Sequence, residues 1–318
     1  MAVKTQFTYQ DFDHILTQYN QGTCTHFEPI SHGTVQTNYM IHTTQGQYVF
    51  RYYENRTRES VLYESELLTY LTRHSYPCPA PIPDREGACV GTYQRKPFVI
   101  FEFIEGHHIE QPTQSHMGQL IQKVAELGIL TRNYQPRFLS SRLNYDILHC
   151  RKLAQLEAEK IGTQDAFAKF AWLDSQLSAL DLPDSLPKGV CHCDFHFSNI
   201  LFREDQVVGL IDFDDANYTY LVFDLVNLID YWAWPFQSDY LDLTAAREII
   251  QTYNRQRPLD VVERHHLFDI HKLGILFDCI WFFSRGSADD FYEKRKIEYL
   301  DALGRGQYAA ALVSETGN

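Results

Sequence analysis

Apolar positions recur with a period that changes along the 318-residue chain, and the changes mark its elements. Residues 8–20 put Phe12, Ile15, Leu16 and Tyr19 on one side of a short amphipathic helix. Strand-like runs follow at 25–30, 38–43 and 47–53; Thr43-Thr44-Gln45-Gly46, a hairpin turn signal, separates the last two. Helical spacing returns over 59–73 through Val61, Leu67, Leu68 and Leu71. Pro77, Pro79, Pro81 and Pro83 then forbid helix and force an extended path. Residues 97–104, P-F-V-I-F-E-F-I, read as a buried strand that Glu105-Gly106 ends.

Beyond that point the character shifts. Met117, Leu120, Ile121, Val124, Leu127 and Leu130 give a strong helical stripe over 115–133, and 164–180 is a second helix. A short β segment follows. From about 221 onward the chain is mainly helical and rich in Trp and Phe. This places a lobe boundary near 104–110, with a smaller sheet-containing lobe before a larger helical one.

Composition narrows the function. A hydrophobic content of 44% supports a large core, and the length suggests two lobes. The net charge of −13 argues against non-specific nucleic-acid binding, which needs a basic surface. The N-terminal M-A-V-K-T-Q-F-T-Y-Q has no apolar signal segment, and no apolar run approaches the roughly 18 residues of a membrane span. Seven scattered cysteines, an odd number, fit free thiols in a reducing cytoplasm. Cys191-x-Cys193 with His192 and His196 is a poor zinc motif, because the spacing is short and no second ligand pair follows.

The candidate chemistry lies in one block, Cys191 to Ala216: C-H-C-D-F-H-F-S-N-I-L-F-R-E-D-Q-V-V-G-L-I-D-F-D-D-A. It holds His192-x-Asp194-x-x-x-x-Asn199, then two apolar strands around the polar turn Arg203-Glu204-Asp205-Gln206, then Asp212. Folding that hairpin returns Asp212 towards Asn199. Paired oxygen ligands on strand ends suit magnesium, a hard octahedral ion, and Asp194 is placed to accept a hydroxyl proton. This is the equipment for moving a phosphoryl group from a metal-bound nucleotide. Any one of these residues alone would read as a cap or turn former; the joint pattern does not. His192 suits orienting the loop, and His196 suits either a phosphate contact or shaping the turn. Asp214 and Asp215 crowd like charge beside Asp212 and need a cation or donors to compensate. Asp224, in an apolar segment, reads as a structural anchor of the loop. No G-x-x-x-x-G-K-[ST] and no G-x-G-x-x-G occurs. The candidate phosphate loop is therefore Ser31-His32-Gly33-Thr34-Val35-Gln36-Thr37-Asn38, whose small and polar residues let backbone N–H groups approach phosphate.

Together H-x-D-x-x-x-x-N, I-D-F-x-x-A, Y-P-C-P-A-P-I and F-V-I-F-E-F-I-E-G resemble the aminoglycoside phosphotransferase and choline kinase superfamily, the small-molecule relatives of protein kinases. H-T-T-Q-G-Q-Y-V-F-R-Y-Y-E, E-G-H-H-I-E-Q-P-T and I-I-Q-T-Y-N-R-Q-R-P-L make the bacterial homoserine kinases of this fold the nearest likeness. The resemblance implies an α+β, bilobal protein-kinase-like fold. Its small antiparallel-sheet lobe would span 1–104 and its mainly helical lobe 105–318, with a hinge near 101–106. It implies ATP and Mg2+ as cofactors, Asp194 as catalytic base with His192 beside it, and Asn199 and Asp212 as metal ligands. Glu102, Phe103 and Ile104 would meet adenine through backbone groups. Glu64 would pair with a strand lysine, whose place is taken here by Arg51; arginine keeps the charge but not the geometry of an ammonium. Cys193 stands where such chains usually carry Gly or Ala.

The implied acceptor is a small hydroxyl- and amine-bearing molecule, homoserine first, with an aminoglycoside, choline, ethanolamine or another amino alcohol as alternatives. No nucleic-acid or membrane partner is expected. His196, Asp215 and Arg285 are candidate substrate contacts. Asp230, Asp278 and Glu263 are further carboxylates for an amine, and Trp232, Trp234, Trp281 and Phe282 could form a cation–π wall. A non-catalytic nucleotide sensor on the same fold has Arg51 as its one support. A protein kinase is disfavoured by Asp212-Phe213-Asp214 in place of a D-F-G triplet.

Overall fold

In the computed structural model, residues 4–30, 35–142, 145–235, 238–284 and 293–313 are described. They form two compact units, each made of several chain segments.

The first unit comprises 1–111, 136–142 and 197–214. In chain order it opens with α1 (Tyr9–Leu16), whose N-terminus is closed by a capping box between Thr8 and Asp11. Strands β1 (Cys24–Pro29), β2 (Thr37–Thr43) and β3 (Gln47–Tyr52) follow, then α2 (Arg58–Arg73), β4 (Gly91–Tyr93) and β5 (Lys96–Glu102). All pairings are antiparallel, in the order β1-β2-β3-β5-β4. Side chains alternate across a strand, and β3 uses the alternation twice. Phe50 and Tyr52 join Phe7, Phe12, Ile15 and Leu16 in the core under α1. Arg51, between them, is directed to the other face and reaches Glu64 on α2. This is how an apolar strand delivers a guanidinium to a buried carboxylate.

A hairpin within 197–214 also belongs to this unit. Residues 101–107 run onto it: His107 and Phe202 exchange backbone hydrogen bonds at 2.9 Å each. A Cβ on Gly209 would stand 2.9 Å from Ile104 Cδ1, and one on Gly106 would stand 3.0 Å from Leu201 Cβ, so both glycines sit at close approaches of the 101–107 segment to the hairpin.

The second unit comprises 112–135, 143–196 and 215–318. Its helices in chain order are α3 (Gln114–Thr131), α4 (Ile147–Ile161), α5 (Gln164–Ser178), α6 (Phe223–Ala233), α7 (Leu243–Gln256), α8 (Val261–Ser284) and α9 (Lys294–Leu312). Strands β6 (Lys188–Cys191) and β9 (Asn217–Tyr220) pair antiparallel within it, whereas β7 (Ile200–Arg203) and β8 (Gln206–Leu210) make the hairpin of the first unit. Helix α8 is the centre, burying Leu267, Ile270, Leu273, Leu276 and Ile280 completely. Among the described residues no helix is long and apolar enough to cross a membrane.

Helix α4 is the element the apolar pattern does not announce. Its buried face is Cys150, Ala154 and Ala158, while Leu148 and Leu156 are exposed. Small residues let it pack closely on its neighbours, and the large apolar residues that usually signal a buried face lie on the outside.

Candidate functional site

In the second unit, β6 delivers a tight loop. The carboxylate of Asp224, at the start of α6 and 2% exposed, accepts the backbone N–H groups of His192 and Cys193, each at 2.8 Å. Burial pushes this carboxyl up from its usual range, and the two N–H donors with His192 oppose that. His192 is fully buried; its Nδ1 accepts the Asp194 N–H at 3.3 Å and its ring packs on Phe195 at 4.7 Å. Cys193 sits at φ +65°, the left-handed region that favours glycine, which explains why a small residue belongs there. The outcome is a loop fixed from behind, with Asp194 exposed at its front.

Asp194 lines a cavity of about 170 Å³. His196, whose ring meets Tyr231 edge-on at 4.5 Å, also lines it, as do Asn227 and Asp230 from α6 and His271 and Asp278 from α8. A Cβ on Gly274 would stand 3.1 Å from Asn227 Oδ1, so glycine there lets α8 approach the floor of the cavity. Asp215 is exposed and does not line it. Glu263 is also elsewhere: it is buried, pairs with Arg257 at 2.6 Å, and its backbone N–H donates to Asp260 at the start of α8. Arg285 lies outside the described residues.

The first unit carries the other candidate residues. Arg51 bridges three partners: Nε donates to Asn38 Oδ1 at 3.0 Å, and Nη1 lies 2.9 Å from Asp212 Oδ1 and 3.6 Å from Glu64 Oε1. Glu64 also accepts the Tyr53 hydroxyl at 3.0 Å, and burial raises its carboxyl to about 7 against the pull of Arg51. Asn199 and Asp212 are brought to the same end of the β7–β8 hairpin, where the Ile211 N–H donates to the Asn199 carbonyl at 2.9 Å. Their side chains offer an amide oxygen and a carboxylate, hard donors that fit a magnesium ion. Glu102 and Phe103 are exposed at the end of β5, and Ile104 packs against Gly209. Ser31, Gly33 and Thr34 lie outside the described residues.

The charge crowding at Asp214 is resolved by residues that the sequence did not single out. Arg56 Nε and Nη2 donate to the two carboxylate oxygens at 2.9 and 3.1 Å, and Gln36 adds a third donor at 3.0 Å. Burial by itself would raise this carboxyl; the Arg56 guanidinium outweighs it and holds Asp214 below the usual range. Arg142 is buried too. It donates to the Asp214 carbonyl and, at 2.8 Å, to the Ser60 carbonyl, and it lies 3.9 Å from Glu64. The only advance signal for these partners was the need of Asp214 for a cation. Their separations of 158 and 72 residues along the chain conceal which ones serve.

At the β6 end, Cys191 Sγ donates to the Tyr220 carbonyl, and Cys193 Sγ to that of Cys191. Among the described residues this pair is not part of any group able to hold a metal. All seven cysteines are free, and burial raises the thiol of each one.

Residues 26–259 match the phosphotransferase enzyme family. The chain is 32% identical over 310 residues to a homoserine kinase of Caulobacter sp., covering 94% of this chain and 89% of that protein. It is 30% identical over 308 residues to a homoserine kinase of Rhodopseudomonas palustris, covering 95% and 88%. In fold it is similar to an amicoumacin kinase whose structure contains AMP-PNP and Ca2+, with a TM-score of 0.66, 14% identity and 92% of each chain covered. The bilobal kinase-like α+β fold, the catalytic block and these likenesses together place the chain in the phosphotransferase enzyme family, as a kinase of small molecules.

Proposed function

We propose that this kinase transfers the γ-phosphate of ATP, carried with Mg2+, to the hydroxyl of homoserine. The cavity beside Asp194 carries the reading. At about 170 Å³ it has room for a small amino alcohol. The tryptophans that could have walled in a quaternary amine do not line it. Trp232 faces a separate groove of about 440 Å³ beside α3 and α7, and Trp234 is buried against Tyr299 at 5.4 Å. Two relatives covering nearly the whole chain are homoserine kinases.

In this reading Asp194 takes the proton of the acceptor hydroxyl, and the backbone N–H hydrogen bonds that Asp224 and His192 accept hold its loop in shape. Asn199 and Asp212 hold Mg2+, which when bound neutralises charge on the phosphates. Arg51, kept in place by Glu64 and Asn38, faces the phosphates. Backbone groups of 102–104 meet adenine. The sensor alternative loses its ground, since Arg51 keeps the pairing with Glu64 that the family's strand lysine provides. A cytoplasmic location goes with this reading and with seven free thiols.

The test is ADP release with homoserine, choline, ethanolamine, hydroxylysine and aminoglycosides as acceptors. Homoserine is expected to give the highest kcat/KM; a higher value for any other acceptor replaces the assignment.

A further inference from the structure

The cavity beside Asp194 has an unusual charge balance. Asp230 and Asp278 line it from α6 and α8, and Glu293 lies close behind them at the start of α9. Lys296 pairs with Asp230 at 2.8 Å and with Glu293 at 2.6 Å, and Arg295 adds positive charge near Glu293. Lys296 itself does not line the cavity. Among the described residues no salt bridge engages Asp278, and Lys296 acts on it only at longer range. Burial, then Asp230 and Glu293, raise its carboxyl well above the usual range.

Polar groups without hydrogen-bond partners point to what the cavity is built for. Asp230 uses Oδ2 on Lys296, and its Oδ1 has no hydrogen-bond partner. His271 is 1% exposed; its Nδ1 is engaged by the Tyr308 hydroxyl at 3.1 Å, and its Nε2, 4.0 Å from Asp230 Oδ1, has no partner. Burial lowers the His271 imidazole to about 4, so it is neutral at pH 7 and adds no positive charge. Buried polar atoms without partners are costly, and a ligand that satisfies them recovers that cost. A lining with carboxylates in excess and no charged donor among its described residues favours a cation and rejects an anion.

We infer that Asp230 and Asp278 recognise the ammonium group of the acceptor, so that homoserine enters amine-first with its hydroxyl at Asp194 and its carboxylate directed away from both carboxylates. This rests on the proposed phosphoryl transfer to an amino alcohol. It goes further in naming which of the two charged ends of homoserine the site reads, and with which side chains.

Two acceptors that each lack one end decide the matter on the wild-type enzyme. 3-Aminopropan-1-ol keeps the hydroxyl and the amine; 4-hydroxybutanoate keeps the hydroxyl and the carboxylate. The expected result is measurable phosphorylation of the first and none of the second. Equal turnover of both, or preference for 4-hydroxybutanoate, overturns the inference. Asp278→Asn and Asp230→Asn should raise KM for homoserine by about tenfold to a hundredfold, the range for losing a hydrogen bond to a charged group, while KM for ATP stays unchanged. A variant with unaltered KM for homoserine counts against its residue. Turnover of 3-aminopropan-1-ol without turnover of homoserine would overturn the homoserine assignment and leave the amine reading standing. Turnover with neither overturns both.

Discussion

Two clusters of buried charge in this kinase are built on opposite plans. In the first unit Glu64, Asp212 and Asp214 are matched by Arg51, Arg56 and Arg142, three against three. In the second unit Lys296 pairs with Asp230 and Glu293, Arg295 adds charge near Glu293, and among the described residues no salt bridge engages Asp278. In the first, buried Glu64 and Asp214 are each met by guanidinium groups and the partly exposed Asp212 pairs with Arg51, which holds the backbone around Asp212 in one geometry. The second is complete only when a cation arrives. The difference separates a preorganised framework from a recognition surface, although both consist of acidic residues in apolar surroundings.

The largest effects should come from the reacting groups on each side. Asp194→Ala should lower kcat by about a hundredfold to ten-thousandfold, the usual worth of a general base, with KM for ATP little changed. Asp212→Asn should instead move the metal requirement, raising the Mg2+ concentration for half-maximal rate by at least the ~10–100-fold that loss of an outer partner costs a metal site. Steady-state kinetics across a Mg2+ titration check both. Near-wild-type turnover of the first variant removes the base assignment, and an unshifted titration of the second removes the ligand assignment.

A medium effect tests the balanced plan. Arg56→Ala leaves Asp214 buried without its main partner and should cost roughly 3 kcal/mol of stability, the lower end of the range for breaking a buried pair, because the Arg56 side chain is 24% exposed. Urea denaturation measures it, and a loss within experimental error would mean that Gln36 and Arg142 suffice.

The smallest effect concerns pH. Glu64 titrates near 7 in the folded chain, above its usual 4.5. Its contribution to stability is therefore full below about 4.5 and is lost as pH rises through about 7. Glu64→Gln does not titrate. The stability of the wild type relative to this variant should thus fall between pH 5 and pH 8, by on the order of a few kcal/mol at most. Parallel urea curves at the two ends would contradict the burial assigned to this carboxyl.

Much of the fold was legible because local rules and packing agree. The Thr43–Gly46 turn joins β2 to β3, and the stripes of α2 and α3 face inward as their spacing predicts. Helix α4 escaped because its buried side is alanine and cysteine and its leucines face out. The loop from His192 to Asn199 was legible as a motif, and so was the anchoring of that loop by Asp224. The guanidinium partners of Asp214 were not, since nothing local distinguishes Arg56 or Arg142 from a surface arginine; their meaning comes from contacts 158 and 72 residues away. The same holds for His271 and Lys296, which read as ordinary members of helical stripes until Asp230 lies beside them.

The burial that keeps all seven sulfurs protonated has a practical side. Alkylating probes attack the thiolate, and thiolate is scarce at neutral pH throughout this chain, even at Cys193 on the cavity wall. One cysteine introduced at a fully exposed position would react ahead of the buried native thiols Cys78, Cys150, Cys191 and Cys279. A fluorophore or spin label could then follow conformational exchange during turnover with no native sulfur removed.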